Sequence, residues 1–313
     1  MRPRRALSSV TAPPRCTPAS PCQSLSGAFQ NFYSFDRTDL SSFDRTTTPA
    51  KDISAELDYQ ARHAAAASPN EKNSIEKIAR YRDCKNHRSV RKEYTFRLIH
   101  QLKPATVLDF GCGDGEVCVQ LTLLGYKTTG FDVSPECIQL AQERARVDGV
   151  EGKAKFFVAD ASNVTIEAQT FDLVLVQLVL HHVDLRPCLE NIRKHVKPGG
   201  RVIIVEPVAY SATLRWLRDR TPVEKDISPN ERQLTHADLK IIGEYFTVRS
   251  RKHFRLLGRL DRVLPRFLTP LLFQLDALLL AIPGMSHFAA AIVILAECPN
   301  TTDRRNSPRA VNY

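Results

Sequence analysis

At 107–116 the chain reads VLDFGCGDGE, an apolar run that meets an acidic residue, Asp109, and then three glycines at alternate positions, Gly111, Gly113 and Gly115. A short apolar run bounded by glycine reads as a buried strand. Alternate glycines let the backbone turn sharply and pass against a bulky ligand where any side chain would collide. The stretch that follows, 117–124, reads as a helix and meets Gly125, the residue a left-handed C-cap selects. Strand, glycine loop and helix in that order predict a nucleotide-like cofactor at the loop.

Spacing separates the candidate cofactors. A dinucleotide fingerprint reads G-x-G-x-x-G and rests a pyrophosphate on the helix N-terminus. Here the order is D-x-G-x-G-x-G. A carboxylate two residues before the first glycine would repel a pyrophosphate and suits a ligand with a positively charged end.

Four more apolar runs continue the pattern. The second, 127–133, ends in Asp132, 21 residues after Gly111, where a carboxylate can accept both hydrogen bonds of a ribose diol. The third, 155–160, ends in Asp160, followed by Ala161; the fourth, 171–178, carries Gln177 and leads into His181 and His182; the fifth, 201–206, ends in Glu206 after the turn Lys197-Pro198-Gly199-Gly200. Over 107–207 this set resembles the class I S-adenosylmethionine-dependent methyltransferases. The segment QLVLHH at 177–182 resembles their small-molecule branch, which includes quinone-biosynthesis enzymes. Methyltransferases of base amines and of protein glutamine carry a different signature there, an Asn or Asp followed by Pro-Pro and an aromatic residue.

The resemblance implies S-adenosylmethionine as cofactor, held by Asp109, Gly111, Cys112, Gly113, Gly115, Asp132, Val133, Asp160, Ala161 and Gln177, with Asp160 at the adenine amino group. Cys112 reads as a small residue that fits the loop rather than a nucleophile. For the chemistry, His181 or His182 is a candidate base and Glu206 a second acid or base. The competing reading packs one histidine beside the cofactor and uses the other to cap a helix.

The fold expected is α/β, a Rossmann-like seven-stranded mixed sheet with helices on both faces. Continuous apolar strands alternating with amphipathic helices imply a sheet covered on both sides. Ser134-Pro135-Glu136 reads as N-cap, first-turn proline and dipole-compensating acid of one helix, with Ile138, Ala141 and Ala145 as its buried stripe. Leu185, Leu189, Ile192 and Val196 repeat the pattern on the next. A sixth strand is expected over 244–254 and an antiparallel seventh over 289–298. Between them lie 34 residues, 255–288, where leucines alternate with Arg255, Arg259, Arg262 and Arg266, followed by an apolar stretch at 271–282. This predicts a helical insert. Pro265, Pro270 and Pro283 make it too broken to span a bilayer, so it lies in a membrane surface, packs on the domain or forms a dimer interface.

The methyltransferase domain is placed at 103–298, preceded by a helical cap at 56–102 and flanked by tails at 1–55 and 299–313. Residues 1–34 of the first tail have arginine, serine and proline and no acid, a composition close to a transit peptide but interrupted by five prolines. On the cap, Tyr81 and Tyr94 are candidates for the substrate pocket, with simple packing as the competing role. Eight cysteines without a C-x-x-C pair argue against zinc or a disulfide framework and for reduced, cytosolic thiols. No metal site is expected. The net charge is +10, concentrated at the ends: 251–313 holds nine Lys or Arg against four acids. A basic surface meets RNA phosphates or anionic lipid equally well, and without an RNA-binding module nucleic acid is the lesser reading. The expectation is a cytoplasmic enzyme, peripheral to a membrane, methylating a small or lipid-like acceptor. RNA or protein methylation, and a cofactor-binding partner subunit without activity, remain the alternatives.

Overall fold

Successive residues of a strand point to opposite sheet faces, and in the computed structural model of the chain this divides the core in two. Leu108 and Phe110 of β1 (Thr106–Phe110) join Val174, Val176 and Ile204 on one face, while Val107 joins Leu173, Leu175 and Ile203 on the other. A strand clamped from both sides tolerates little change: truncating the fully buried Phe110 to Ala would cost about 3–5 kcal/mol. The structure describes residues 58, 61, 62, 72–166, 170–211, 232–257, 260 and 264–300. All of them belong to one unit, Pro49–Tyr313.

The sheet contains β1, β2 (Lys127–Asp132), β3 (Ala154–Val158), β4 (Phe171–Gln177), β5 (Val196–Pro207), β6 (Thr247–Phe254) and β7 (Ala291–Glu297). Their spatial order is β3-β2-β1-β4-β5-β7-β6, all parallel except β7, which runs antiparallel to β5 and β6. This is the seven-stranded mixed sheet expected. The carboxyl ends of β1, β2, β4, β5 and β6 therefore share one edge.

Helices cover both faces. In chain order they are α1 (Ile75–Asp83), α2 (Arg91–Leu102), α3 (Glu116–Leu123), α4 (Pro135–Val147), α5 (Leu185–His195), α6 (His236–Tyr245) and α7 (Thr269–Leu279). Ser134 caps α4, its hydroxyl accepting from the Cys137 N–H at 3.1 Å, and Ile138, Ala141 and Ala145 are buried. Leu185, Leu189 and Ile192 form the buried face of α5.

Among the strand boundaries, the end of β3 and the start of β6 differ from the sequence expectation. β3 stops at Val158, because Asp160 turns its carboxylate back to accept from the Ser162 N–H at 2.8 Å and closes a turn instead of extending the ladder. β6 starts at Thr247, since 244–245 complete α6. That helix has a sequence signal the strand assignment overlooked, a capping box in which the Asp238 carboxylate accepts from the Thr235 N–H at 2.8 Å. On α1, Tyr81 is buried while Ile75 is 85% exposed.

Between β6 and β7 the described residues hold one α-helix, α7, flanked by 3-10 turns at Arg266–Leu268 and Met285–Phe288. Its inner face is Leu272 and the buried Asp276, whose two oxygens accept from the N–H groups of Arg255 and Leu257 at 2.9 and 2.6 Å. Its outer face aligns Leu271, Leu275, Leu278 and, past the helix end, Ile282, between 46 and 69% exposed. No helix among the described residues is long and apolar enough to cross a membrane. The expected tail at 1–55, the residues beyond 300 in the other tail, and Arg259 and Arg262 of the insert lie outside the described residues.

Candidate active site

The loops leaving β1 and β2 interlock at the carboxyl edge of the sheet. The Cys112 N–H donates to the Phe131 carbonyl at 2.7 Å, and the Gly113 N–H donates to the Asp132 carboxylate at 2.9 Å. The other Asp132 oxygen accepts from the Ser134 N–H at 3.1 Å, so one carboxylate joins the glycine loop to the start of α4. Gly111, Gly113 and Gly115 all have positive φ, for different reasons. A Cβ on Gly111 would stand 2.5 Å from Val179, and one on Gly115 would stand 2.4 Å from Ala141, whereas one on Gly113 would meet nothing within 4 Å. The first and third glycines serve close packing. The middle one borders open space.

Asp109 ends this loop from below, 2% exposed. Burial, and then the neighbouring carboxylates of Asp132 and Asp114, push its pKa up to about 7, with Lys92 of α2 pulling the other way. A buried carboxylate crowded by two others is electrostatically suited to a cation. Val133 is half-buried beside Asp132, and Asp160, Ala161 and Gln177 are half-buried on the same edge. The Ala161 carbonyl accepts from the Asn191 amide at 2.9 Å, which fixes the loop after β3. Burial, Asp109 and other neighbours raise the Cys112 thiol well above the usual value, which disfavours the thiolate. It is a free thiol, like Cys84, Cys118, Cys137, Cys188 and Cys298. No group of histidine, cysteine and carboxylate residues among the described residues could hold a metal.

At the ends of β4 and β5 the structure unites two residues that sequence named separately. Glu206 is fully buried, and one of its oxygens accepts from the Val179 and Leu180 N–H groups, each at 2.8 Å. The other lies 2.6 Å from His181 Nδ1. An ionised carboxylate only accepts, so Nδ1 donates to it, and in the neutral form of such a ring the lone pair is on Nε2. His181 is 3% exposed, and its ring lies 3.9 Å from that of the half-buried His182.

Leu178 makes this geometry possible. It adopts φ +60, a left-handed conformation rare for a bulky residue, and donates to the Val205 carbonyl at 2.9 Å. The bend turns the next two N–H groups toward Glu206 and leaves the leucine side chain 46% exposed at the edge. Strain of this kind concentrates at functional sites. Nothing in the sequence marks Leu178, since an ordinary leucine follows an ordinary strand.

The two tyrosines pack rather than line this edge. Tyr81 is buried and stacks on Phe96 at 4.7 Å, under α2. Tyr94 leans on Phe254 at 5.6 Å with the Lys252 ammonium 4.6 Å from its ring. A cavity of about 310 Å³ lies at the opposite edge of the sheet among Asp172, Lys197 and Arg201, away from the glycine loop.

Comparison with known proteins agrees with this fold and loop. Residues 108–204 match a family model described as a methyltransferase domain. Norajmaline N-methyltransferase of Rauvolfia serpentina is 32% identical over 134 residues, 42% of this chain and 43% of that protein. The mitochondrial ubiquinone biosynthesis O-methyltransferase of Schizosaccharomyces pombe is 33% identical over 100 residues, 31% of this chain and 36% of that protein. Among solved structures, the geranyl diphosphate C-methyltransferase of Streptomyces coelicolor A3(2) superposes with a TM-score of 0.51 at 15% identity, covering 77% of this chain and 98% of that one, a likeness of fold alone. Residues 108–204 thus carry a methyltransferase domain, similar to those of the class I S-adenosylmethionine-dependent methyltransferases. The chain spans about two fifths of the length of the curated relatives it matches.

Proposed function

We propose that the protein transfers a methyl group from S-adenosylmethionine to a small or lipid-like acceptor at a membrane surface. The observation that carries the reading is the pairing, on one sheet edge, of a cation-seeking glycine loop with an oriented imidazole. Bound S-adenosylmethionine supplies an electrophilic methyl on a sulfonium. Asp109 and the loop 111–115 accommodate its positively charged methionine end, Asp132 takes the ribose hydroxyls, and Asp160 with Ala161 flanks the adenine. Val133 and Gln177 border the same cleft.

The acceptor side belongs to Glu206, His181 and His182. Glu206 orients the His181 ring through Nδ1, and the adjoining, tilted rings of His181 and His182 place a ring nitrogen where an acceptor proton can be taken. Most of the rate enhancement in such a displacement comes from alignment and exclusion of water, which the burial of Asp109, His181 and Glu206 favours. The alkaloid and quinone names of the relatives support a small-molecule acceptor. The outward stripe of Leu271, Leu275, Leu278 and Ile282, on a basic chain, supports a membrane surface as the place of action.

The test is transfer of labelled methyl from S-adenosylmethionine into a cell extract separated into lipid, RNA and protein fractions, with Asp132→Ala beside the wild type. Label in the organic phase that disappears in the variant is expected. Label in RNA or protein would replace the acceptor class, and cofactor binding with no label in any fraction would reassign the chain as a non-catalytic partner.

A further inference from the structure

Between the N-terminus of α2, the end of β6 and α7 lies a cavity of about 240 Å³. Its wall sets two guanidinium groups, Arg91 and Arg255, among Phe254, Leu257, Leu272 and Phe273. Arg255 and the other charged groups lining it have partners. Asp276 accepts two backbone N–H groups, and Lys92 donates to Glu116 at 2.7 Å. Arg91 makes no side-chain hydrogen bond or ion pair among the described residues.

Its position is unfavourable without a ligand. Arg91 is the first residue of α2, where the helix dipole repels a cation. Burial and the nearby Arg255 charge both lower its pKa, and the Glu206 carboxylate acts in the opposite sense. The same helix end lacks a side-chain cap at Val90, so its first-turn N–H donors add to the positive character. An arginine fork that meets no carboxylate, beside a second arginine and over an apolar wall, is matched to one kind of molecule.

We propose that this cavity binds the phosphate-class anionic group of an amphipathic methyl acceptor, with Arg91 and Arg255 on the anion and Phe254, Leu257 and Leu272 along its hydrocarbon. The inference rests on the methyltransferase reading and narrows its acceptor class.

The full chain is titrated with hexyl phosphate and with uncharged hexanol. It is also mixed with phosphatidylcholine vesicles with and without phosphatidylglycerol. Wild type is compared with Arg91→Gln, Arg255→Gln and, as an exposed control on α4, Arg146→Gln. S-adenosylhomocysteine is titrated into every sample as a separate readout of fold and cofactor site. We expect wild type to prefer the charged probe at least about tenfold, each cavity variant to lose about tenfold of that preference, and the control to keep it. A preference lost for hexyl phosphate identifies a soluble amphiphile, and one lost only on phosphatidylglycerol vesicles identifies a lipid headgroup. Either supports the subsite. Cavity variants that bind S-adenosylhomocysteine as wild type does and retain both preferences would overturn it, as would a wild type indifferent to charge in both arms. Should wild type fail to bind S-adenosylhomocysteine yet keep an Arg91-dependent preference for hexyl phosphate, the methyltransferase reading fails and the anion subsite stands.

Discussion

Glu206 is fully buried and its carboxylate takes part in three hydrogen bonds, which makes its substitutions informative in different ways. Glu206→Ala strands two buried N–H groups and the His181 ring. It should lower stability by about 3–5 kcal/mol, read as a drop in Tm of about 10 °C. Glu206→Gln keeps the shape but must give up either the backbone or the imidazole. It should leave cofactor affinity intact while lowering kcat about a hundredfold, with a displaced pH profile. An unchanged kcat in a folded Glu206→Gln variant would reduce the pair to scaffolding. At this scale the sequence was legible where chemistry is local. Asp109, the alternate glycines and Asp132 lie within 24 residues and carry their own spacing. The His181–Glu206 contact was not legible, because 25 residues and a helix separate its members and only parallel pairing of β4 with β5 brings them together. Arg91 was invisible for a similar reason: it becomes notable only through what surrounds it in space.

Elements were legible to the extent that their periodicity was clean. β1, β2, β4 and β5 are apolar enough to be read directly, and α4 and α5 announce their caps and stripes. Where a polar residue could either extend a strand or close a turn, as at Asp160, the ladder lost to the local hydrogen bond. α6 was missed because its short amphipathic run abuts β6, although Thr235 and Asp238 signal its start. The insert before β7 gave its apolar content away but not its orientation. In the structure Leu272 and Asp276 face inward, leaving Leu271, Leu275 and Leu278 outward. Replacing those three leucines with Gln should leave Tm nearly unchanged, since exposed positions contribute within about 0.5 kcal/mol each. Sedimentation with anionic vesicles should fall about a hundredfold or more, because roughly 1–2 kcal/mol per inserted leucine is lost. Equal sedimentation of variant and wild type would remove α7 as the membrane-facing element.

For the molecule as a whole, the cofactor edge is a store of negative charge that folding assembles before any cation arrives. Asp109 shows the consequence most clearly. Its pKa rises from an ordinary carboxylate value to about 7 in the folded protein, so between about pH 4 and pH 7 the folded chain holds a proton that the unfolded chain has released. Stability then falls with rising pH across that window, by about 4 kcal/mol from this group alone, and is flat in this respect above it. Glu116 behaves oppositely. Burial would raise it, but Lys92 and Lys77 outweigh burial and lower it to about 2, so its contribution is present above its ordinary pKa and disappears only as pH falls toward 2. The two effects occupy different windows, and Asp109→Asn isolates the first, since Asn mimics the protonated acid. Thermal melts from pH 4 to 8 should show wild type losing stability against Asp109→Asn as pH rises to about 7. Saturating S-adenosylmethionine should reverse the order, because a bound cation favours the ionised carboxylate that Asn cannot supply. Parallel melting curves for the two proteins, with and without the ligand, would mean that the carboxylate cluster is neutralised within the protein itself and leave the loop without its electrostatic claim on a cationic cofactor.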